Sequence, residues 1–213
     1  MSIKICPSML SADPTKLGRE LMDVENAGAN AIHWDIMDGN FVEAITFGSR
    51  VISAHRKLTA LRFDVHLMVR NPDSHLENFA MAGADAIIIH AEACDHLHRT
   101  LSRIKNFGKK AGIAFNPATP IDAVKYCFGI FDVILIMGVN PGSSGQTFIE
   151  SSVKKISEMR QIVPAHVEIC VDGGITAETV GKCAGADSFV SGSYIFGSNN
   201  YSLAIETLRI NSR

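Results

Sequence analysis

The sequence predicts an α/β fold, a single (β/α)8 barrel of the TIM type over residues 1–213, and three observations carry that expectation. Eight short runs of apolar and β-branched residues alternate with longer amphipathic, charged segments from one end to the other, as repeated βα units require. A near-repeat precedes three of those runs: Ala27-Gly28-Ala29-Asn30, Ala82-Gly83-Ala84-Asp85 and Ala184-Gly185-Ala186-Asp187. Its copies lie 55 and 102 residues apart, which is two and four units of about 27 residues. The length of 213 residues, 46% of them hydrophobic, then holds eight such units around one core; a doubly wound sheet is the fold alternative, though it usually needs fewer strands and would put a ligand at one switch point.

Taken in order, the first run is Ile3–Cys6. In the second, Ala31–Met37, the two-residue period of a strand puts His33, Asp35 and Met37 on one face and Ile32, Trp34 and Ile36 on the other. The third, Arg62–Met68, repeats the arrangement with Asp64, His66 and Met68. Ala86–His90 and Ala111–Phe115 follow as the fourth and fifth. The sixth, Asp132–Met137, leads into the loop Asn140-Pro141-Gly142-Ser143-Ser144-Gly145-Gln146. The seventh, Val167–Val171, runs into Asp172-Gly173-Gly174-Ile175, and the eighth, Ser188–Ser191, into Gly192-Ser193. Helical patterns fill the gaps, with Gly suited to the left-handed end of a helix and Asn or Asp to the turn after it.

Charge narrows the partners. Lys and Arg number 20 against 22 Asp and Glu, so no net field draws the chain to nucleic acid or to a membrane surface; small molecules and copies of itself in a homo-oligomer are the expected partners. Five cysteines, odd in number and without a Cys-x-x-Cys pair, sit in apolar runs and read as reduced core residues of a cytoplasmic protein. Met1–Leu10 has one Lys and an apolar run broken by Pro7, too short for a secretory signal, and no later stretch has the length to span a bilayer.

In a barrel of this kind chemistry gathers at the C-terminal ends of the strands. A single inward His or Asp is usually a satisfied buried polar group. Two imidazoles and two or three carboxylates in one apolar mouth are different, because like charges desolvated together cost several kcal/mol per ion unless a cation joins them. That donor set suits one divalent ion such as Zn, Fe, Mn or Co. Three glycine-rich loops, after the sixth, seventh and eighth strands, offer backbone N–H groups to an anion, as phosphate sites in such barrels do.

The motifs Pro7-Ser8-Met9-Leu10-Ser11-Ala12-Asp13, His33-x-Asp35-x-Met37-Asp38-Gly39, Asp64-Val65-His66-Leu67-Met68, Asn116-Pro117-Ala118-Thr119-Pro120, Asn140-Pro141-Gly142 and Val171-Asp172-Gly173-Gly174 together resemble the ribulose-5-phosphate 3-epimerase family, in the same order, from about residue 3 to 197. The resemblance implies that His33, Asp35, His66 and Asp172 hold one divalent metal per subunit, and that Asp35 and Asp172 are also the acid/base pair. It implies that Ser8 and His66 meet the substrate, a phosphorylated ketose, and that Met37, Met68 and Met137 line the pocket. Gly142, Ser143, Ser144, Gly145, Gly173, Gly174, Gly192 and Ser193 would then hold phosphate or close over it.

Two segments depart from the family pattern. Asn40-Phe41-Val42-Glu43-Ala44 stands where the family usually reads His-Phe-Val-Pro-Asn, and Ser143-Ser144 stands within the loop usually written Asn-Pro-Gly-Phe-Gly-Gly-Gln. A hexulose-6-phosphate 3-epimerase, such as one for D-allulose 6-phosphate, would use the same metal and base residues. A metallohydrolase and a non-catalytic phosphosugar-binding barrel are the readings from other classes. Lys4, Lys16 and Lys57 fall outside any Asp-x-Lys-x-x-Asp strand motif, which counts against the barrel decarboxylases of phosphorylated sugars. Cys94-x-His96-x-His98 begins a helix with its two imidazoles on different faces, and His55, His75 and His166 carry no evident role.

Overall fold

Each apolar run becomes a strand, within one residue of the expected limits: β1 (Lys4–Pro7), β2 (Ala31–Met37), β3 (Arg62–Met68), β4 (Ala86–His90), β5 (Lys110–Phe115), β6 (Val133–Met137), β7 (Glu168–Asp172) and β8 (Ser188–Ser191). In the computed structural model, which describes residues 3–212, the strands pair in parallel in the order β1-β8-β7-β6-β5-β4-β3-β2. A single bridge, Ser8 to His33, brings the two ends of that order together and nearly closes the barrel at its C-terminal rim. Around it stand α1 (Leu17–Asn26), α2 (Ser49–Arg56), α3 (Leu76–Ala82), α4 (Leu97–Asn106), α5 (Ser151–Ile162), the one-turn α6 (Ser193–Phe196) and α7 (Tyr201–Asn211).

The expectation of a helix in every gap is corrected twice. Between β5 and β6 only a 3-10 segment, Asp122–Tyr126, forms, and between β7 and β8 only Val180–Lys182. Pro117 and Pro120 withhold backbone N–H groups from the first gap, and Gly173, Gly174, Gly181 and Gly185 weaken helix in the second.

The Ala-Gly-Ala-Asx repeat does more than end helices. Gly28, Gly83 and Gly185 take φ of 94°, 104° and 98°, a left-handed turn that an L side chain resists. The next polar side chain then caps the preceding strand: Asn30 Oδ1 accepts Ile5 N–H at 2.9 Å, Asp85 Oδ2 accepts Phe63 N–H at 2.8 Å, and Asp187 Oδ2 accepts Ile169 N–H at 2.8 Å. Asp132, outside the repeat, does the same for Ala111 at 2.8 Å. A cation from a surrounding helix completes each clamp, Arg209 on Asn30, Arg56 on Asp85, Lys105 on Asp132 and Arg160 on Asp187. The N-terminal face of the barrel is thereby fastened unit by unit, which leaves the opposite face for loops of variable length.

Side chains alternate between two cores. Outward residues such as Ile32, Trp34, Val65 and Ile134 meet the helices, and Trp34 packs between the rings of Phe47 and Phe63. Inward residues such as Cys6, Ile88, Ala114, Leu135 and Cys170 fill the barrel. All five cysteines are free thiols, as expected, and burial holds those of Cys6 and Cys170 well above the ordinary range, which keeps them inert.

Beneath the apolar layer lies an ionic floor. Arg62 spans Asp64 Oδ2 at 2.7 Å and both oxygens of Glu168 at 2.8 and 2.9 Å, and Lys4 joins Glu168 at 2.8 Å. Asp64, which faces inward as the alternation requires, therefore belongs to the floor and not to the mouth where a third carboxylate was expected: its position on β3 lies two residues below His66. Burial would raise the Glu168 carboxyl, but its bonds to Arg62 hold it well below the usual range. Arg62→Ala should cost about 3–5 kcal/mol of stability near pH 7, because it leaves the buried Asp64 without a cation and Glu168 with Lys4 alone. The deficit should narrow as pH falls toward the ordinary Glu value of 4.5, where those carboxylates take up protons. Urea denaturation at several pH values checks both the size and the sign.

Candidate metal centre

Four ligand-type side chains meet where β2, β3 and β7 reach the mouth. His33 and Asp35 share the inward face of β2, Asp35 lies in register with His66 across the β2–β3 ladder, and Asp172 is the last residue of β7. All four are buried. Among the described residues this is the only group of three or more His, Cys, Asp and Glu side chains arranged to hold an ion.

The spacing of their inner atoms carries chemical information. His33 Nε2 lies 3.4 Å from His66 Nδ1, 3.4 Å from Asp35 Oδ1 and 3.5 Å from Asp172 Oδ2. His66 Nδ1 lies 3.2 Å from Asp35 Oδ1 and 3.3 Å from Asp172 Oδ2. Four N and O ligands placed tetrahedrally about 2.0–2.1 Å from a zinc-like ion are separated by roughly 3.3–3.4 Å, so five of the six edges match such a cage. The donor set fits a borderline divalent cation.

Charge within the cage is shared tightly. Burial alone would lower the His33 imidazolium, but Asp35 and Asp172 override it and carry His33 up to about 10, and His66 moves the same way. Burial would raise the Asp35 carboxyl, yet the two imidazoles hold it far below its ordinary value. Asp172 is lowered too, although burial and the Asp35 charge oppose the shift. Without a cation the cage stores protons in its place.

The wall above the cage is built from the loops expected there. Ser8 Oγ donates to Asp35 Oδ2 at 2.5 Å, the oxygen turned away from the imidazoles. Met37, Met68 and Met137 line the same cavity, with Gly142, Ser143, Ser144, Gly145, Gly173, Gly174, Gly192 and Ser193 around it. Gly173 and Gly174 have φ of 99° and 68°, and a Cβ on Gly174 would come within 2.8 Å of the Phe148 backbone. That tight packing lets the turn after Asp172 carry bare amides at the cavity. After β6, Gln146 Nε2 donates to the carbonyls of Asn140 at 2.6 Å and Ser143 at 2.9 Å and so draws the loop into a compact arch. A Cβ added at Gly142 would come within 3.2 Å of the Val42 side chain in the loop after β2, so the two loops that carry the departures from the family pattern lie side by side and line one recess.

Sequence reasoning missed His90 and Glu92. His90 closes β4 with its side chain wholly buried, and its Nε2 lies 2.8 Å from His66 Nε2. Its Nδ1 faces Glu92 Oε2 at 3.1 Å. Burial depresses the His90 imidazole to about 4 and keeps it neutral. The signal was present: in Ala86–His90 the two-residue period puts His90 on the inner face at a strand's C-terminal end. Cys94, His96 and His98, by contrast, stay apart from the cage at the start of α4.

The chain is similar to several known proteins. A family model described as the ribulose-phosphate 3 epimerase family matches residues 4–196. The ribulose-phosphate 3-epimerase of Bacillus subtilis is 46% identical over 97% of this chain and 98% of its own. The chloroplastic ribulose-5-phosphate-3-epimerase of Arabidopsis thaliana is 45% identical over 99% of this chain and 78% of its own. Among solved structures, KGPDC from Streptococcus mutans superposes with a TM-score of 0.74 at 13% identity over 100% of this chain and 98% of its own, a likeness of fold alone. Among the described residues no helix is long and apolar enough to cross a membrane.

Proposed function

The chain belongs to the ribulose-phosphate 3-epimerase family and is a carbohydrate epimerase, and on that premise we propose that it interconverts D-ribulose 5-phosphate and D-xylulose 5-phosphate by a two-base proton transfer at C3. Family membership sets aside the metallohydrolase and the non-catalytic barrel. The reading rests above all on one observation: two carboxylates on separate strands, Asp35 and Asp172, each place an oxygen in the same cage and border the same cavity.

Inversion at carbon needs a base on one face of the substrate and an acid on the other. Asp35 on β2 and Asp172 on β7 are separated around the barrel wall by β1 and β8, so one carboxylate removes the C3 proton while the other returns one to the opposite face. A carboxylate is too weak a base to ionise such a C–H bond unaided. His33, Asp35, His66 and Asp172 would hold a divalent ion such as Zn, Fe, Mn or Co, which would supply Lewis-acid stabilisation of the negative charge that develops as the C3 proton leaves.

The protein's own groups do the rest. Asp35 presents Oδ1 to the cage and Oδ2 to Ser8, so its two oxygens serve different partners. Met37, Met68 and Met137 surround the reacting carbon with polarisable, water-poor surface. The amides around Gly173, Gly174, Gly192 and Ser193 receive the phosphate, and the Gly142–Gly145 arch closes over it.

A second reading, epimerisation of a six-carbon ketose 6-phosphate, is favoured by the recess beside the cavity. Val42, Glu43, Ala44 and Ser143, all from the segments that depart from the family pattern, line it together with Phe41 and Arg70. Comparing kcat/KM for ribulose 5-phosphate and allulose 6-phosphate should show at least a tenfold preference for the pentulose, a difference of about 1.4 kcal/mol in transition-state binding. A preference for the hexulose would transfer the assignment to the second reading.

A further inference from the structure

We propose that His90 and Glu92 are positioning residues that fix His66 in the one tautomer whose Nδ1 lone pair faces the cage. The inference rests on the metal centre proposed above and extends it outward by two residues.

Hydrogen-bond direction propagates inward from Glu92. Its Oε1 accepts Asn116 N–H at 2.8 Å and its Oε2 faces His90 Nδ1 at 3.1 Å. Burial would raise the Glu92 carboxyl, but the hydrogen bonds it receives, including that from Asn116 N–H, hold it down to about 2, so the group is a carboxylate that only accepts and the proton in the second contact belongs to His90 Nδ1. A neutral imidazole has one N–H, which leaves His90 Nε2 bare and able only to accept. Its partner at 2.8 Å, His66 Nε2, must therefore donate. A neutral His66 protonated on Nε2 has its free lone pair on Nδ1, and Nδ1 is the atom 3.2 and 3.3 Å from the Asp35 and Asp172 oxygens.

His33 provides the contrast. Its Nδ1 is buried with no hydrogen-bond partner, so nothing comparable orders that ring from behind. The relay acts on one of the two imidazoles. It is also held from outside: the Phe41 ring packs on His90 with centroids 4.7 Å apart. The His66 and His90 ring planes lie within 22° of each other with centroids 4.9 Å apart, the edge-to-edge arrangement that an in-plane N–H···N bond requires. Without the acceptor behind it, His66 gains by moving its proton to Nδ1, where Asp35 and Asp172 accept it and a cation cannot bind.

The test measures cobalt(II) and zinc(II) affinity by competition with a chromophoric chelator, together with 15N spectra of the histidine rings in the zinc-loaded protein. Wild type should show His66 protonated on Nε2 and shielded from exchange. His90→Phe, which keeps a ring against Phe41 but offers no acceptor, should lose metal affinity by roughly 10- to 100-fold, and His90→Gln, whose amide oxygen accepts, should recover part of it. Glu92→Gln is the independent variant should His90→Phe fail to fold. Its amide cannot accept from both Asn116 and His90, so the order of protons along the relay is lost and affinity should again fall. Wild-type affinity in His90→Phe or in Glu92→Gln, or a wild-type His66 protonated on Nδ1 in the zinc-loaded protein, would overturn the relay. A wild-type chain that binds neither ion would overturn the metal centre itself, and is a different result because it precedes any substitution.

Discussion

Asp35→Asn and Asp172→Asn should each lower kcat/KM for ribulose 5-phosphate by on the order of 10,000-fold, because each removes a ligand of the cage and half of the proton relay at once. The two roles separate by isotope. In heavy water the wild-type product should carry deuterium at C3, since the incoming proton comes from a different carboxylate than the one that took the first. A single shared base would instead return much of the original hydrogen. Metal content measured beside the rates assigns the loss: a variant that keeps its ion should still exchange the C3 hydrogen of the epimer whose proton faces the surviving carboxylate. Near-normal epimerisation by Asp172→Asn with metal bound would show that another acid serves that face.

Stripping the metal should abolish turnover and lower the melting temperature by on the order of 10 °C. Loss of a ligand present at about 1,000 times its Kd removes about 4 kcal/mol, and a chain of this length shifts by roughly 2–4 °C per kcal/mol. The pH dependence follows from His33. In the metal-free protein its imidazole is carried up to about 10, so it is protonated at neutral pH and must shed that proton when an ion enters. Apparent metal affinity should therefore rise with pH across the neutral range, and uptake should release protons in weakly buffered solution. Calorimetry in buffers of different ionisation enthalpy counts them. Full activity in rigorously metal-free protein, or metal uptake that releases no protons, would refute the cage.

Alternation and spacing made much of the molecule legible. The strands follow from runs such as Ala31–Met37, because a two-residue period with one polar and one apolar face has few other homes, and the copies of Ala-Gly-Ala-Asx set the unit length at which eight close. The inward placement of His33, Asp35 and His66 follows from the same period. The helices expected after β5 and β7 failed because prolines and glycines outweighed a pattern read only from hydrophobicity.

What one-dimensional pattern determined, then, is which face of each strand a residue occupies; what the tertiary structure decided is depth along the barrel and who stands behind whom. Asp64 and His66 share a face of β3, yet one joins Arg62 and Glu168 in the floor and the other enters the cage, since strand tilt and the register with β2 and β4 set the layer. His90 becomes visible only when β4 lies beside β3 and its ring reaches His66 at 2.8 Å. Asn30, Asp85 and Asp187 read as turn residues until the preceding strand brings its N–H groups against them. Periodicity is a local property of the chain, whereas a ligand cage, a hydrogen-bond relay and an ionic floor are contacts between strands far apart in sequence, fixed by the closing of the sheet.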